Sequence, residues 1–188
     1  MGFLQKVEIA AAVVESQREH KSYRAKVEAK YKIIEKIKQL ASSLLKKALP
    51  ALLMFSAGTA MAKIKNPEAM GKTFEKIAEQ TLPDYKDVSV KTTVVDNGED
   101  APQAVIYTLN AKGVEKQDGT VMIKYVEGKK AVVKFTRGDW TSAVGTVAEE
   151  FRQTLDDVAK SVVVKNKVTK NTGHQQQTQH KDTKLAGK

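Results

Sequence analysis

The stretch Val121-Met-Ile-Lys-Tyr-Val126-Glu-Gly-Lys-Lys130-Ala-Val-Val-Lys-Phe-Thr136 decides the fold of this chain. Its two ends are rich in β-branched and aromatic residues, and Glu127–Lys130 between them suits a tight turn, which predicts two strands joined as a hairpin. Successive strands with short connections pair antiparallel, because parallel pairing needs a long crossover. Two further strands are predicted upstream, Val88–Val95 and Ala104–Ala111. The sequence therefore predicts a four-stranded antiparallel meander.

Two helical patterns flank the predicted sheet. Asn66-Pro67-Glu68 is a typical helix start, with Asn as the N-cap, Pro at the first helical position and an acid in the first turn. A second helix is predicted from Asp139 to about Val162, because apolar residues recur there at three- and four-residue spacing. Covering one face of the sheet with both helices gives a two-layer α+β domain over residues 63–164.

Residues 1–47 are predicted to form a long, basic, amphipathic helical extension. Apolar residues recur along one face of it, as in Val27, Tyr31, Ile34, Ile37, Ala41 and Leu44. This pattern is typical of a helix on an anionic membrane surface or of a coiled-coil partner, and equally of a helix that packs one face on its own domain. Lysines surround that face and are the candidate anionic-surface contacts: Lys26, Lys30, Lys32, Lys36, Lys38, Lys46 and Lys47.

An uncharged apolar segment follows at residues 48–62. Two lysines precede it, leucines fill its centre, and Ala60-Met61-Ala62 ends it, an order typical of a secretory signal peptide. This interpretation predicts cleavage between Ala62 and Lys63. The long sequence before the segment argues against it, and the same composition suits a buried core helix. Three explanations stay open: a wrongly chosen start codon, a genuinely long basic region, or a segment retained as anchor or core.

The net charge of +10 is concentrated at the two ends of the chain. Residues 1–62 and 160–188 each carry +6, whereas residues 63–159 carry −2. A mildly acidic centre argues against nucleic-acid binding by the domain, because phosphate neutralisation needs a clustered basic surface. The polar composition from Lys165 onward predicts a disordered basic tail over residues 165–188.

The residue types of the domain exclude several kinds of chemistry. Residues 63–164 contain no histidine and no cysteine, which rules out a Ser-His-Asp or Cys-His site and a zinc site with two histidines there. The common nucleotide-binding glycine motifs are missing from the sequence as well. We therefore expect no enzyme, no cofactor and no metal site, with carboxylate or lysine chemistry as the remaining catalytic alternative.

The sequence favours a small exported bacterial cell-envelope protein, periplasmic or secreted, with a non-catalytic role in binding or assembly. Its partner would be an envelope protein or a second copy of the chain. The alternative is a membrane-associated or helical-oligomer protein that keeps residues 1–62, contacts an anionic membrane through residues 24–62 and displays the α+β domain. A candidate ligand pocket is expected between the sheet and the last helix, near Tyr107, Tyr125 and Trp140.

Overall fold

The computed structural model describes residues 3–56, 61–95, 102–114, 118–138 and 142–178. The described chain contains three α-helices and a short 3₁₀ helix: α1 (Phe3–Ala48), the 3₁₀ helix (Leu49–Leu52), α2 (Pro67–Thr81) and α3 (Ala143–Thr178). Its strands are β1 (Leu53–Ser56), β2 (Met61–Ile64), β3 (Tyr85–Val95), β4 (Ala104–Gly113), β5 (Gly119–Val126) and β6 (Val132–Arg137).

The four long strands form one antiparallel sheet in the order β3-β4-β5-β6. Each strand alternates between the two faces of the sheet, and Tyr107 of β4 lies opposite Thr92 of β3 and Ile123 of β5. One irregularity interrupts β3, where the register shifts between Lys86 and Ser89. The predicted α+β class, with a four-stranded antiparallel meander between helices, is confirmed.

Helices α2 and α3 cover one face of this sheet through a cluster of aromatic rings. The Phe74 ring of α2 stacks on the Phe151 ring of α3, with centroids 4.0 Å apart. The Tyr107 ring, on the sheet, contacts the Phe151 ring in an edge-to-face arrangement, with centroids 5.5 Å apart and ring planes at 85°. All three side chains are fully buried, so this cluster joins both helices to the sheet.

The helix boundaries follow local capping chemistry. Asn66 caps α2 as predicted, because its Oδ1 accepts a hydrogen bond from the Ala69 amide at 3.0 Å. Helix α3 begins at Ala143, and the Ser142 hydroxyl accepts from the Gly145 amide at 3.0 Å. The predicted start at Asp139 lies outside the described residues.

Helix α3 also extends further than the sequence suggested. It continues to Thr178, beyond the end predicted near Val162 and into the segment expected to be disordered. The residues there include lysine and glutamine, whose intrinsic helix propensity is high.

The described part of the segment interpreted as a signal peptide consists of the end of α1, the 3₁₀ helix, β1 and the first residues of β2, and the two strands form a β1–β2 hairpin. Strands β1 and β2 pair antiparallel, with Leu53 opposite Ile64 and Phe55 opposite Ala62. Leu53, Ala62 and Ile64 are buried, and Leu53 and Ile64 belong to the same hydrophobic core as the aromatic cluster. Residues on both sides of the proposed cleavage point therefore pack against the domain.

The C-terminal part of α1 contributes to that core as well. Four-residue spacing links Ile37, Ala41 and Leu45 of α1 with Leu49 of the following 3₁₀ helix, and all four are buried. The earlier part of the predicted apolar face is less covered, since Tyr31 is 69% exposed and Val27 and Ile34 are half-buried. Before this face, every side chain from residue 15 to 26 is exposed. The later part of the predicted face, from Ile37 on, therefore packs in the core, whereas the part before it is largely open to solvent. At 46 residues, α1 is about 69 Å long, so only part of it lies on the domain.

Substitution of Leu45 tests whether α1 is part of the core. Leu45 is fully buried, so Leu45→Ala removes apolar contacts and leaves a cavity, which we expect to cost about 3 kcal/mol in the free energy of unfolding. Leu40 lies on the same helix but is 47% exposed, so Leu40→Ala should cost about 0.5 kcal/mol or less. Urea denaturation of both variants provides the comparison. Equal losses would show that α1 does not pack as described.

Candidate functional site: a lysine-rimmed cleft beside helix α3

A cleft of about 400 Å³ opens on the helix-covered side of the protein. The walls are the end of the β1–β2 hairpin at Ala62, the β5–β6 turn at residues 128–130, and α3 from Asp156 to Val164. This volume lies within the range of small-ligand pockets in proteins. Because three separate elements meet here, the cleft depends on the tertiary fold.

The interior of the cleft is largely apolar. Ala62, Ala159 and Val163 contribute to its lining, together with Val164, which is 59% exposed. Such a surface favours contact with a hydrocarbon or ring over contact with water.

The mouth of the cleft is positively charged. Lys129 and Lys130 reach it from the β5–β6 turn, and Lys160 reaches it from α3, all three being exposed. Gly128 makes this turn possible, since its φ of 80° is a conformation that other residues rarely adopt. The Lys129 amide donates to the Val126 carbonyl at 2.9 Å, which closes the turn and holds the lysines beside α3.

The carboxylate in the cleft, Asp156, is engaged by two partners. Its Oδ1 accepts from the Ala131 amide at 2.8 Å, and its Oδ2 accepts from Arg152 at 2.9 Å. Asp156 is only 8% exposed, and its bonds anchor the start of β6 to α3. The exposed lysines therefore determine that the charge at the mouth is positive.

Arg152 joins this aspartate to Glu149. The guanidinium donates to both Glu149 carboxylate oxygens, at 2.5 and 2.9 Å, and this hydrogen bonding holds the pKa of Glu149 below its ordinary value. Glu149, Arg152 and Asp156 thus form a continuous set of ion pairs along α3. Its last member, Asp156, is buried and also bonds to the backbone at Ala131.

Tyr125 forms the inner wall and ties the hairpin to the sheet. Its hydroxyl donates to the Ala62 carbonyl at 2.7 Å. Burial is the main cause that raises the pKa of Tyr125 to about 12, and the nearby carboxylates of Glu127 and Asp156 add to it. The phenol is therefore neutral at physiological pH and acts as a hydrogen-bond donor.

A second link between the hairpin and the sheet runs through Gln103. Its side-chain Oε1 accepts from the Ile64 amide at 2.9 Å, and its Nε2 donates to the Ile64 carbonyl at 3.1 Å. The backbone amide of Gln103 donates in turn to the buried Glu127 carboxylate at 3.1 Å. These bonds place Ala62 and Ile64 rigidly beside β4 and β5, which fixes one wall of the cleft.

The predicted pocket residues fall in different places. Tyr125 lines the cleft, whereas Tyr107 is fully buried in the aromatic cluster and its hydroxyl donates to the Pro67 carbonyl at 3.4 Å. Burial raises the pKa of Tyr107 well above its ordinary value. Trp140 lies outside the described residues. Sequence reasoning missed Lys129, Lys130 and Lys160, for which the only signal was the pair of lysines in a predicted turn.

The predicted cleavage site is only partly described. Ala60 lies outside the described residues, Ala62 is 4% exposed and Lys63 is exposed. Cleavage after Ala62 stays a prediction. If Ala62 and Lys63 remain joined, the Ala62 carbonyl is the acceptor that holds Tyr125 in place.

The α1 lysines predicted to contact an anionic surface are all exposed. Lys32 pairs with Glu28 at 2.8 Å, an exposed i,i+4 pair that contributes little to stability. Lys38 and Lys46 lie within electrostatic range of Glu150 on α3. Burial nevertheless raises the pKa of Glu150. Two of the seven lysines therefore face an acid of the domain, and their role at an external surface stays a prediction.

Two further features concern metal ions and membranes. Within the described ranges, no three His, Cys, Asp or Glu side chains are grouped as metal ligands would be. None of the described helices combines the length and the apolar composition needed to cross a bilayer.

Comparison with known proteins gives no relative for this chain. No protein-family model, no curated protein and no solved structure matches it. The function is therefore argued from the geometry of the cleft and of the surfaces around it.

Substitution of Asp156 tests the anchor beneath the cleft. Asp156→Ala removes the acceptor for the Ala131 amide and one partner of Arg152, so we expect the free energy of unfolding to fall by about 2–3 kcal/mol. Asp157 is its exposed neighbour, and Asp157→Ala should change the value by about 0.5 kcal/mol or less. Urea denaturation of both variants decides the matter. A larger loss for Asp157→Ala would contradict the assignment.

Proposed function

We propose that this chain is a non-catalytic binding protein that keeps residues 1–62 and binds a small anionic ligand with an apolar part in the lysine-rimmed cleft. The observation that carries the proposal is the pairing of an apolar interior with three exposed lysines at the mouth. An amphiphilic anion matches both features, because its apolar part leaves water while its charge stays beside the lysines.

The fate of the other polar groups supports binding over catalysis. The Tyr125 phenol is neutral and bonded to Ala62, and Asp156 is bonded to Ala131 and Arg152. A general base needs a group that is free to take a proton from the substrate. The lysines are exposed, so they suit electrostatic attraction better than proton transfer.

Retention of the N-terminus is supported by what its residues contribute. Leu45, Leu49 and Ile64 are buried in the core, and Ala62 supplies both a wall of the cleft and the acceptor for Tyr125. A chain that began at Lys63 would lose Leu45 and Leu49 from the core and would open one wall of the cleft. Apolar side chains of this size contribute roughly 2–5 kcal/mol each when fully buried.

A second candidate is the exported precursor that is cleaved after Ala62. The order of lysines, leucines and small residues over 46–62 favours it. In that case the mature envelope protein would be residues 63–188, and the binding site would have to lie on the sheet or on α2 and α3. A periplasmic or secreted location stays part of this candidate only.

The N-terminus of the native protein separates the two candidates. We expect intact-mass analysis and N-terminal sequencing of protein from fractionated native cells to give a product that still contains residues 45–62, since these residues complete the core. A product that begins at Lys63 in the soluble envelope fraction would refute retention and establish export.

Neutralising the cleft lysines tests the ligand class. We expect the full-length protein to bind octyl phosphate. The combined Lys129→Gln, Lys130→Gln and Lys160→Gln variant should bind it about tenfold more weakly, because three exposed charge contacts are lost. Isothermal titration calorimetry measures both affinities. 1-Octanol, which has the same chain without the charge, should bind the two proteins equally.

A matched control carries the same change in charge on α1. The Lys26→Gln, Lys30→Gln and Lys36→Gln variant alters exposed lysines that are separate from the cleft lining, and it should bind octyl phosphate as the parent does. An equal loss in both triple variants would mean that net charge, and not the cleft, attracts the ligand. No binding by the parent protein would refute the proposed ligand class.

A further inference from the structure

The outer face of the β3–β6 sheet is a second charged surface, separate from the cleft. The helices cover the face that carries Val105, Tyr107 and Ile123, all fully buried. The opposite face stays open. One row across it contains Thr93, Lys124 and Val132, and all three side chains are exposed, Val132 by 61%. At the centre of this face, Ile106 and Met122 are half-buried, because neighbouring side chains on the same face partly cover them.

Lysines occupy this face at regular positions. Lys91 of β3 and Lys134 of β6 lie in the same row, joined through Thr108 and Met122, and Lys124 lies in the next row. Three strand spacings separate Lys91 from Lys134, about 14 Å. Lys86 and Lys112 form a further cross-strand pair at the end of the sheet. All five lysines are exposed.

Acidic groups are scarce on the same face. The outward positions of the paired rows, traced through the described register, hold Lys, Arg, Thr, Ser, Asn and apolar residues and no carboxylate. Asp87 lies at the irregular position between Lys86 and Ser89, and Asp118 pairs with Arg137 at 3.5 Å. The face is therefore strongly positive although the central part of the chain, residues 63–159, carries −2.

Short hydroxyl side chains accompany the lysines. Thr108 lies in the row of Lys91 and Lys134, and Thr93 lies in the row of Lys124. Ser89 and Thr120 lie in the neighbouring row, which ends at Arg137. A hydroxyl can donate to a phosphate oxygen at a distance where a lysine supplies the charge. The face thus presents a layer of phosphate-binding groups spread over four strands.

The choice of partner follows from what the face lacks. Binding of single-stranded nucleic acid relies on exposed aromatic rings that stack on bases. Here the aromatic residues of β4 and β5, Tyr107 and Tyr125, are buried on the other face, and Phe135 lies opposite buried Val121. A broad positive layer without stacking rings, and without a groove lined by lysines, suits a surface of phosphate head groups better than a single polynucleotide strand.

We propose that the outer face of the sheet docks the protein on an anionic phospholipid membrane. Lys91, Lys124 and Lys134 supply the central charges, the hydroxyl side chains bond to head-group phosphates, and Val132 adds an apolar contact. The helix-covered side, with the cleft, then faces away from the lipid. This membrane contact is independent of the ligand proposed for the cleft.

Vesicle binding by the full-length protein tests this docking surface. The vesicles contain one part phosphatidylglycerol to three parts phosphatidylcholine, and sedimentation measures the bound fraction. Each lysine near an anionic surface contributes about fivefold to partitioning, so the Lys91→Gln, Lys124→Gln and Lys134→Gln variant should bind on the order of a hundredfold more weakly. Circular dichroism melts establish that the variant folds as the parent does.

Two matched triple variants distinguish this face from the other basic surfaces. The α1 variant (Lys26→Gln, Lys30→Gln, Lys36→Gln) and the cleft variant (Lys129→Gln, Lys130→Gln, Lys160→Gln) remove the same charge and should retain most of the vesicle binding. A loss in the α1 variant as large as in the sheet variant would overturn the proposal. So would a lack of vesicle binding by the parent protein.

A polyanion control addresses the remaining alternative. The parent protein is titrated with a single-stranded oligonucleotide under the same salt conditions. Weaker binding to the oligonucleotide than to the vesicles agrees with the proposal. Tighter binding to the oligonucleotide, lost in the sheet variant, would overturn it in favour of a nucleic-acid surface.

Discussion

The burial of the segment around the β1–β2 hairpin is the constraint on which the rest of the structure depends. Leu45, Leu49 and Ile64 leave water together and share one core with the Phe74–Phe151 stack. This apolar contact is non-directional, so it needs polar contacts to fix its register. Two hydrogen bonds do so: the Tyr125 hydroxyl donates to the Ala62 carbonyl, and the Gln103 side-chain amide donates to the Ile64 carbonyl. The wall of the cleft exists because these directional bonds act on a hairpin that the core already holds.

Charge is distributed so that the two proposed surfaces do not compete. Two buried carboxylates are bonded within the fold: Asp156 accepts from the Ala131 amide just before β6, and Glu127 accepts from the Gln103 backbone amide. The lysines of both surfaces are exposed, and the sheet itself separates the outer face from the helices. A protein with this arrangement can meet two anionic partners at once, one large and one small, from opposite sides.

The sequence was sufficient to predict features that depend on local patterns. The four strands follow from β-branched runs and short connections, and the start of α2 follows from the Asn66 cap and Pro67. The β1–β2 hairpin was not predictable in this way, because a continuous apolar run has no period that separates strand from helix or from a signal peptide. The start of α3 is harder to place from local pattern, because Asp139 and Ser142 are both good N-cap residues.

The candidate site was harder to predict because it is assembled from distant parts of the chain. Tyr107 and Tyr125 lie on the same face of the sheet, and only their depth under α2, α3 and the hairpin decides which one lines the cleft. Lys160 lines the cleft because α3 lies close to the β5–β6 turn, and no spacing in the sequence indicates this closeness. Tertiary placement therefore decides the site, whereas local propensity decides the elements.

The irregularity in β3 has a consequence for how the molecules behave in solution. β3 is an edge strand, whose unpaired amides and carbonyls invite the addition of another strand. Near its start, Asp87 adopts a φ of 50° and the register is interrupted, with Lys86 facing Lys112 across the adjacent pair. A kinked and highly charged edge is a poor template for β-pairing between molecules. Lys86 and Lys112, which belong to the proposed docking face, thus also disfavour strand addition at this end of the β3 edge.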